Sequence, residues 1–243
     1  MDRQTLSSAL VKASLPERIA LLPTVLPGRL VFTTSFGLED QALTHAIAAS
    51  GLPLVIATLD TGRLFPETYD LWALTEDRYR LVIDVFAPRN DSLEALIARN
   101  GINGFRRSVE ARKACCGIRK VEPLGRALTG AAGWITGLRA EQSAYRATTS
   151  LVELDDAHGL IKINPLADWS RAEVERYVAD HNVPYNPLHD RGFASIGCAP
   201  CTRAVRIGEP ERAGRWWWED GAKKECGLHL HEATLAPRPE LGP

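Results

Sequence analysis

RLVFTTSFGLEDQALTHAIAAS, residues 29–50, joins two periodicities through a short loop. Its first eight residues are apolar and β-branched, the composition of a buried strand. From residue 37 onward Leu38, Ala42, His45, Ala46 and Ala49 return at helical spacing, and Gly51 is a natural stop. Strand, tight loop and helix make the first half of a βαβ unit, and the same grammar continues along the chain. LPLVIATLD (52–60) and RLVIDVFAP (80–88) read as strands. FPETYDLWALTEDRY reads as a helix with Pro66 in its first turn. DSLEALIARNG reads as a helix capped by Asp91 or Ser92 and closed by Gly101. GWITGLR (133–139) and GLIKINPL (159–166) are further strands, and Ser170 N-caps the helix DWSRAEVERYVADHN. This alternation predicts an α/β fold, a mostly parallel sheet flanked by helices on both faces. Such sheets bind ligands beyond the carboxyl ends of their strands. The loops to inspect are therefore SFGLED, LDTGR and GLRAEQS.

The 243 residues, 45% hydrophobic and 24% charged, have the balance of an ordinary globular protein and suffice for one domain over 1–243. A net charge of −1 gives no reason to expect nucleic acid as a partner, so any anion site must come from local clustering. No apolar run reaches the length of a membrane span. The opening MDRQTLSSALVKASLPER lacks the apolar core and cleavage site of a secretory signal, so a cytoplasmic protein is expected. Whether it is a monomer or a homo-oligomer is not written in the sequence. From Pro184 the texture turns to Pro, Gly and small residues, as in a site-building segment. Residues 220–243 are expected to form a flexible tail. Trp216, Trp217 and Trp218 read as a helix laying rings on the core.

Five cysteines in a reducing compartment are better ligands or reactive thiols than a disulfide framework. Cys198 and Cys201 form a Cys-x-x-Cys in GCAPC, and Cys115 and Cys116 stand side by side in RKACCGIRK. Four thiolates suit a structural zinc, an iron–sulfur cluster or a redox dithiol. Adjacent positions on a helix point about 100° apart, which favours two corners of a cluster over one tetrahedral ion. Arg112, Lys113, Arg119 and Lys120 would offset the charge of an anionic cluster, or else form a solvated helix face. Cys226, in KKECGLH, follows Lys223 and Lys224 and precedes His229, and nearby cations favour a thiolate. Glu225 pulls the other way. Arg139 and Arg146 follow the fourth strand, and Arg203, Arg206, Arg212 and Arg215 lie between Cys201 and Cys226. Arginines gathered near thiols suggest a phosphate- or sulfate-bearing substrate.

With these stretches together, the chain resembles the assimilatory adenylyl-sulfate reductases, the cluster-bearing branch of the family that also contains the phosphoadenylyl-sulfate reductases. The stretches that carry the resemblance are SFGLED, LDTGRLFPETY, KACCGIRKVEPL, ITGLRAEQS, GCAPCTR, GRWWWE and KECGLH, spread over nearly the whole chain. The resemblance implies a fold related to the ATP pyrophosphatases and adenine-nucleotide α-hydrolases. It implies that Ser35, Phe36 and Gly37 hold a nucleotide phosphosulfate and that Leu59, Asp60, Thr61 and Gly62 meet the adenosine. Lys120, Gly137, Arg139, Arg146, Arg206, Arg212, Arg215 and His229 would surround the substrate. Cys115, Cys116, Cys198 and Cys201 would carry one [4Fe–4S] cluster.

The chemistry that follows from the resemblance is attack of a Cys226 thiolate on the sulfur of adenosine 5′-phosphosulfate, with AMP leaving and an S-sulfocysteine remaining. Thioredoxin would then release sulfite, a step of sulfate assimilation. The rival within the family is 3′-phosphoadenosine 5′-phosphosulfate as substrate. Outside it stand an ATP pyrophosphatase-type ligase, for which Phe36 and Glu39 depart from a Ser-Gly-Gly loop, and a zinc-binding module.

Overall fold

The structure is a computed structural model and describes residues 3–219, 225, 227 and 228. Two helices, α1 (Arg3–Val11) and α2 (Leu15–Val25), precede the sheet in a region where the sequence suggests no element. Their apolar stripe of Leu6, Leu10, Leu15, Ile19 and Leu22 is buried in the main core. The buried Arg18 guanidinium donates to the Leu10 and Pro165 carbonyls and pairs with Asp168 at 2.6 Å. That fork staples the helices to the loop after the last strand.

The alternation then runs as expected, through β1 (Leu30–Thr34), α3 (Leu38–Ser50), β2 (Val55–Leu59), α4 (Pro66–Tyr79), β3 (Asp84–Phe86) and α5 (Asn90–Asn100). After α6 (Val109–Cys116) and α7 (Glu122–Leu128) come β4 (Gly133–Ile135), β5 (Val152–Asp155), β6 (Leu160–Ile163) and α8 (Arg171–Asp180). The strand order is β3-β2-β1-β4-β6-β5. Every pairing is parallel except β5 with β6. Val31, Phe32, Ile135 and Ile163 are fully buried, because parallel strands covered on both faces have no solvent side. The chain runs outward from β1 to β2 and β3, then returns to β4 on the other side of β1. That reversal opens a crevice at the carboxyl ends of β1 and β4.

Several boundaries differ from the sequence expectation for local reasons. The third strand shrinks to three residues at the sheet edge, where Asp84 and Val85 are exposed. β5, which the sequence reading omits, is a short edge strand whose antiparallel hairpin turns through Gly159 at φ 65°. α5 starts at Asn90 with Arg89 at the cap position, so the expected caps Asp91 and Ser92 lie inside its first turn. Ser170 does cap α8, accepting from the Glu173 amide. Trp216 to Trp218 form no helix: Trp216 sits in a turn with φ 44°. α6 is capped by Ser108 and leads into a wide π-type turn, Gly117–Val121. The turn carries Lys120 from the cysteine pair towards the crevice. Among the described residues no helix is long and apolar enough to cross a membrane. The expected tail, 220–243, lies outside the described residues apart from positions 225, 227 and 228.

Candidate active site

A cavity of about 170 Å³ occupies the crevice. Its floor is built from the strand ends Thr33, Thr34, Thr58 and Leu59, and Ser35, Phe36 and Gly37 curve over it before α3 begins. Phe36 takes a left-handed φ of 59°, and its buried ring stacks on Trp72 at 5.6 Å, which anchors the loop. Gly137 lines the opposite wall, where a Cβ would stand 2.2 Å from Asp40 Oδ1, so only glycine admits that carboxyl. Lys120, Arg146, Arg212 and Arg215 complete the lining with positive charge. Arg215 lies over the Trp216 ring, and its buried Nε has no hydrogen-bond partner among the described residues. A buried donor of that kind calls for an acceptor.

Asp40, in the first turn of α3, escapes the sequence reading. Asp40 Oδ2 accepts both the Ser35 amide, at 2.6 Å, and the Ser35 hydroxyl, at 2.7 Å. Burial outweighs those two bonds and pushes its carboxyl up to about 6. Glu39 is buried as well, but Arg139 overrides the burial and holds it below the usual carboxylate range.

Five of the residues named from the resemblance stand apart from the cavity lining. Arg139 is fully buried, donating from Nε to Glu39 at 2.8 Å and from Nη2 to Glu211 at 2.9 Å. It ties β4, α3 and the segment after Cys201 together. Arg206 is exposed, with its amide on Glu209. Asp60, Thr61 and Gly62 are absent from the lining, and of the three Thr61 meets a thiol. Thr61 Oγ1 is 3.3 Å from Cys198 Sγ, the Thr61 carbonyl accepts from Arg119, and Asp60 accepts from Tyr69. Cys226 and His229 lie outside the described residues.

All four paired cysteines are free thiols and meet around a hollow of about 20 Å³. Phe105, Trp216 and Trp218 pack around them, and Arg63, Arg112, Arg119 and Lys120 supply a cationic wall. Lys113 is exposed and takes no part in it. Burial pushes the Cys115 thiol up, and burial with the neighbouring Cys198 takes Cys201 to about 11. Cys198 goes the other way: Lys120, the Thr61 hydroxyl and Arg215 outweigh its burial. Among the described residues no three His, Cys, Asp or Glu side chains are set to hold one metal ion. Four sulfurs spread round a cationic hollow match an anionic group of several atoms better than one tetrahedral ion. Lys120 lines both the hollow and the larger cavity, so the two share a wall.

A cationic cavity at the switch point of a mostly parallel sheet, sharing a wall with a four-thiol hollow, places the chain among the α/β proteins that bind ligands at the carboxyl ends of their strands. The chain belongs to the phosphoadenosine phosphosulfate reductase domain family, whose model matches residues 29–204. It is 53% identical over 236 residues to the adenosine 5′-phosphosulfate reductase of Agrobacterium fabrum, covering 97% of this chain and 90% of that one. To the enzyme of the same name from Rhizobium meliloti it is 56% identical over 217 residues, 89% of this chain and 82% of the relative. The crystal structure of a phosphoadenylyl-sulfate reductase from Candida auris, a phosphate complex, superposes with a TM-score of 0.71 at 29% identity. That match covers 84% of this chain and 98% of the Candida chain.

Proposed function

We propose that the protein is an adenosine 5′-phosphosulfate reductase, which reduces that nucleotide to sulfite and AMP in sulfate assimilation. The observation that carries the reading is the shared wall: a cationic cavity at the sheet switch point abuts four free thiols through Lys120. The high identity to reductases of that name supports it.

In this reading the cavity takes the nucleotide with its anionic end towards Lys120, Arg212 and Arg215, and Arg215 Nε supplies a donor. Cys226 Sγ, as thiolate, forms a bond to the sulfonate sulfur while the sulfur–oxygen bond to phosphate breaks. The electron pair of that bond leaves on the AMP phosphate. An anion attacking an anion needs its repulsion screened, and the cations do this while stabilising charge on the leaving group. A dithiol, assigned to thioredoxin, then displaces sulfite from the S-sulfocysteine and ends as a disulfide, which accounts for both electrons. Cys115, Cys116, Cys198 and Cys201 would hold a [4Fe–4S] cluster. When bound it would supply a fixed charge beside Lys120 and tie two distant segments together. Reduced thiols suit a cytoplasmic location.

The test uses anaerobically purified protein and nucleotide carrying labelled sulfonate. AMP release with label on Cys226, discharged as sulfite by thioredoxin, is expected, as are brown colour and about four irons per chain. Label transfer that survives Cys226→Ser overturns the nucleophile, and faster turnover of the 3′-phosphorylated nucleotide overturns the substrate.

A further inference from the structure

Glu225, next to Cys226 in the chain, is a tail residue only 7% exposed. Arg146 grips its carboxylate with two parallel bonds, Nε to Oε1 and Nη2 to Oε2, both 3.0 Å. Arg212 adds a third from Nη2 at 3.0 Å. The Glu225 carbonyl accepts from Arg112 Nη1 at 2.8 Å, and Arg112 is itself held by Glu219 at 2.5 Å. Burial would raise the Glu225 carboxyl, but Arg212 and Arg146 hold it below the usual range, so it is ionised at neutral pH. Three of the five Arg146 N–H donors are used within the fold, two on Glu225 and one from Nη1 to Gln142 at 2.5 Å.

The other side of Cys226 is seated too. Gly227 takes a left-handed φ of 91° beside Val121, a conformation that favours glycine. Leu228 packs with Val31, Leu124 and Trp134 and lines the cavity.

We infer that Glu225 is a positioning residue for sulfonate transfer, its carboxylate clasped by Arg146 and Arg212, two residues of the cavity lining. Arg146 then acts through Glu225 as well as lining the cavity. The buried, bidentate geometry separates this clasp from an exposed ion pair, which adds little and holds nothing in place. This inference rests on Cys226 being the nucleophile.

The experiment compares wild type, Glu225→Gln and Glu225→Asp as full-length holoenzymes in two measurements. One is AMP release from adenosine 5′-phosphosulfate in a single turnover without reductant. The other is equilibrium binding of AMP. Glu225→Gln is expected to slow AMP release by about 30-fold, in the range a displaced reacting group costs, with AMP affinity retained. Glu225→Asp, which keeps the charge with a shorter reach, recovers part of the rate. If the Gln variant does not fold, the Asp variant carries the test alone and must react more slowly at unchanged AMP affinity. Unchanged rates overturn the clasp. So does tighter AMP binding without slower reaction, which would make Glu225 only a competing anion, and so does loss of binding in step with rate, which would make it a cavity support. A wild-type enzyme that binds AMP but never releases it from the nucleotide overturns the functional reading itself, before any substitution is examined.

Discussion

The sheet and the segment after Pro184 hold themselves together by opposite means. In the sheet, Val31, Phe32, Ile135 and Ile163 are buried apolar residues whose register follows from a repeating pattern. Among the described residues after Pro184 there is little regular structure, and the chain is fastened by charged side chains reaching far away in sequence. Glu211 meets Arg139, Glu219 meets Arg112, and Glu225 meets Arg146. Burying apolar area is non-directional and tolerates loose geometry. A buried ion pair must be correct in both partners, because either one alone is a desolvated charge. The first device builds a scaffold; the second places functional groups on it.

The contrast is broken most severely by Phe32→Ala. Emptying a fully buried ring site should cost about 4 kcal/mol in urea unfolding, while the ionic ties stay intact. Arg139→Met attacks the other device. It strands Glu39 and Glu211, and about 3 kcal/mol of lost stability is expected, the low end for a broken buried pair, because Glu211 is 19% exposed and can regain water. A stable Arg139→Met protein would show that the irregular segment does not depend on its ion pairs.

Asp40 sits where the two regions meet, and it sharpens the comparison through pH. Its folded value of about 6 lies above the ordinary 3.8, so the folded protein binds the extra proton between those values. Its contribution therefore favours folding at low pH and is lost as pH rises through 6. Asp40→Asn should remove a fall in unfolding free energy on the order of 2 kcal/mol between pH 4 and 7. Unfolding curves of the two proteins at both pH values, with no difference in slope, would contradict this. The smallest effect is local. Ser170→Ala removes the α8 cap and should lower stability by about 1 kcal/mol, with AMP binding unaltered.

Much of the sheet was readable because period-2 and period-3.6 patterns are local properties. β1 and the glycine that ends α3 came directly from residues 29–51. The helices α1 and α2 did not, since their apolar stripe makes sense only against the sheet it covers. β5 was missed because four residues at an edge carry too little pattern. In the site, the two cysteine pairs announced a shared centre, and the structure brings all four around one hollow. Arg139 and Arg146 looked alike, seven residues apart behind one strand. Their partners, Glu39 and Glu211 for one and Glu225 for the other, separate them. Nothing in the local sequence of an arginine reveals which distant carboxylate will neutralise it.

By itself the sequence determined the strand–helix alternation from β1 to α5, the loops at the strand ends and the two cysteine pairs, because each depends on neighbours within a few positions. The tertiary structure alone decided which cations face the cavity and which are spent inside the fold. Charge is neutralised through space, and Arg139 and Glu211, Arg146 and Glu225, and Arg112 and Glu219 lie between 72 and 107 residues apart.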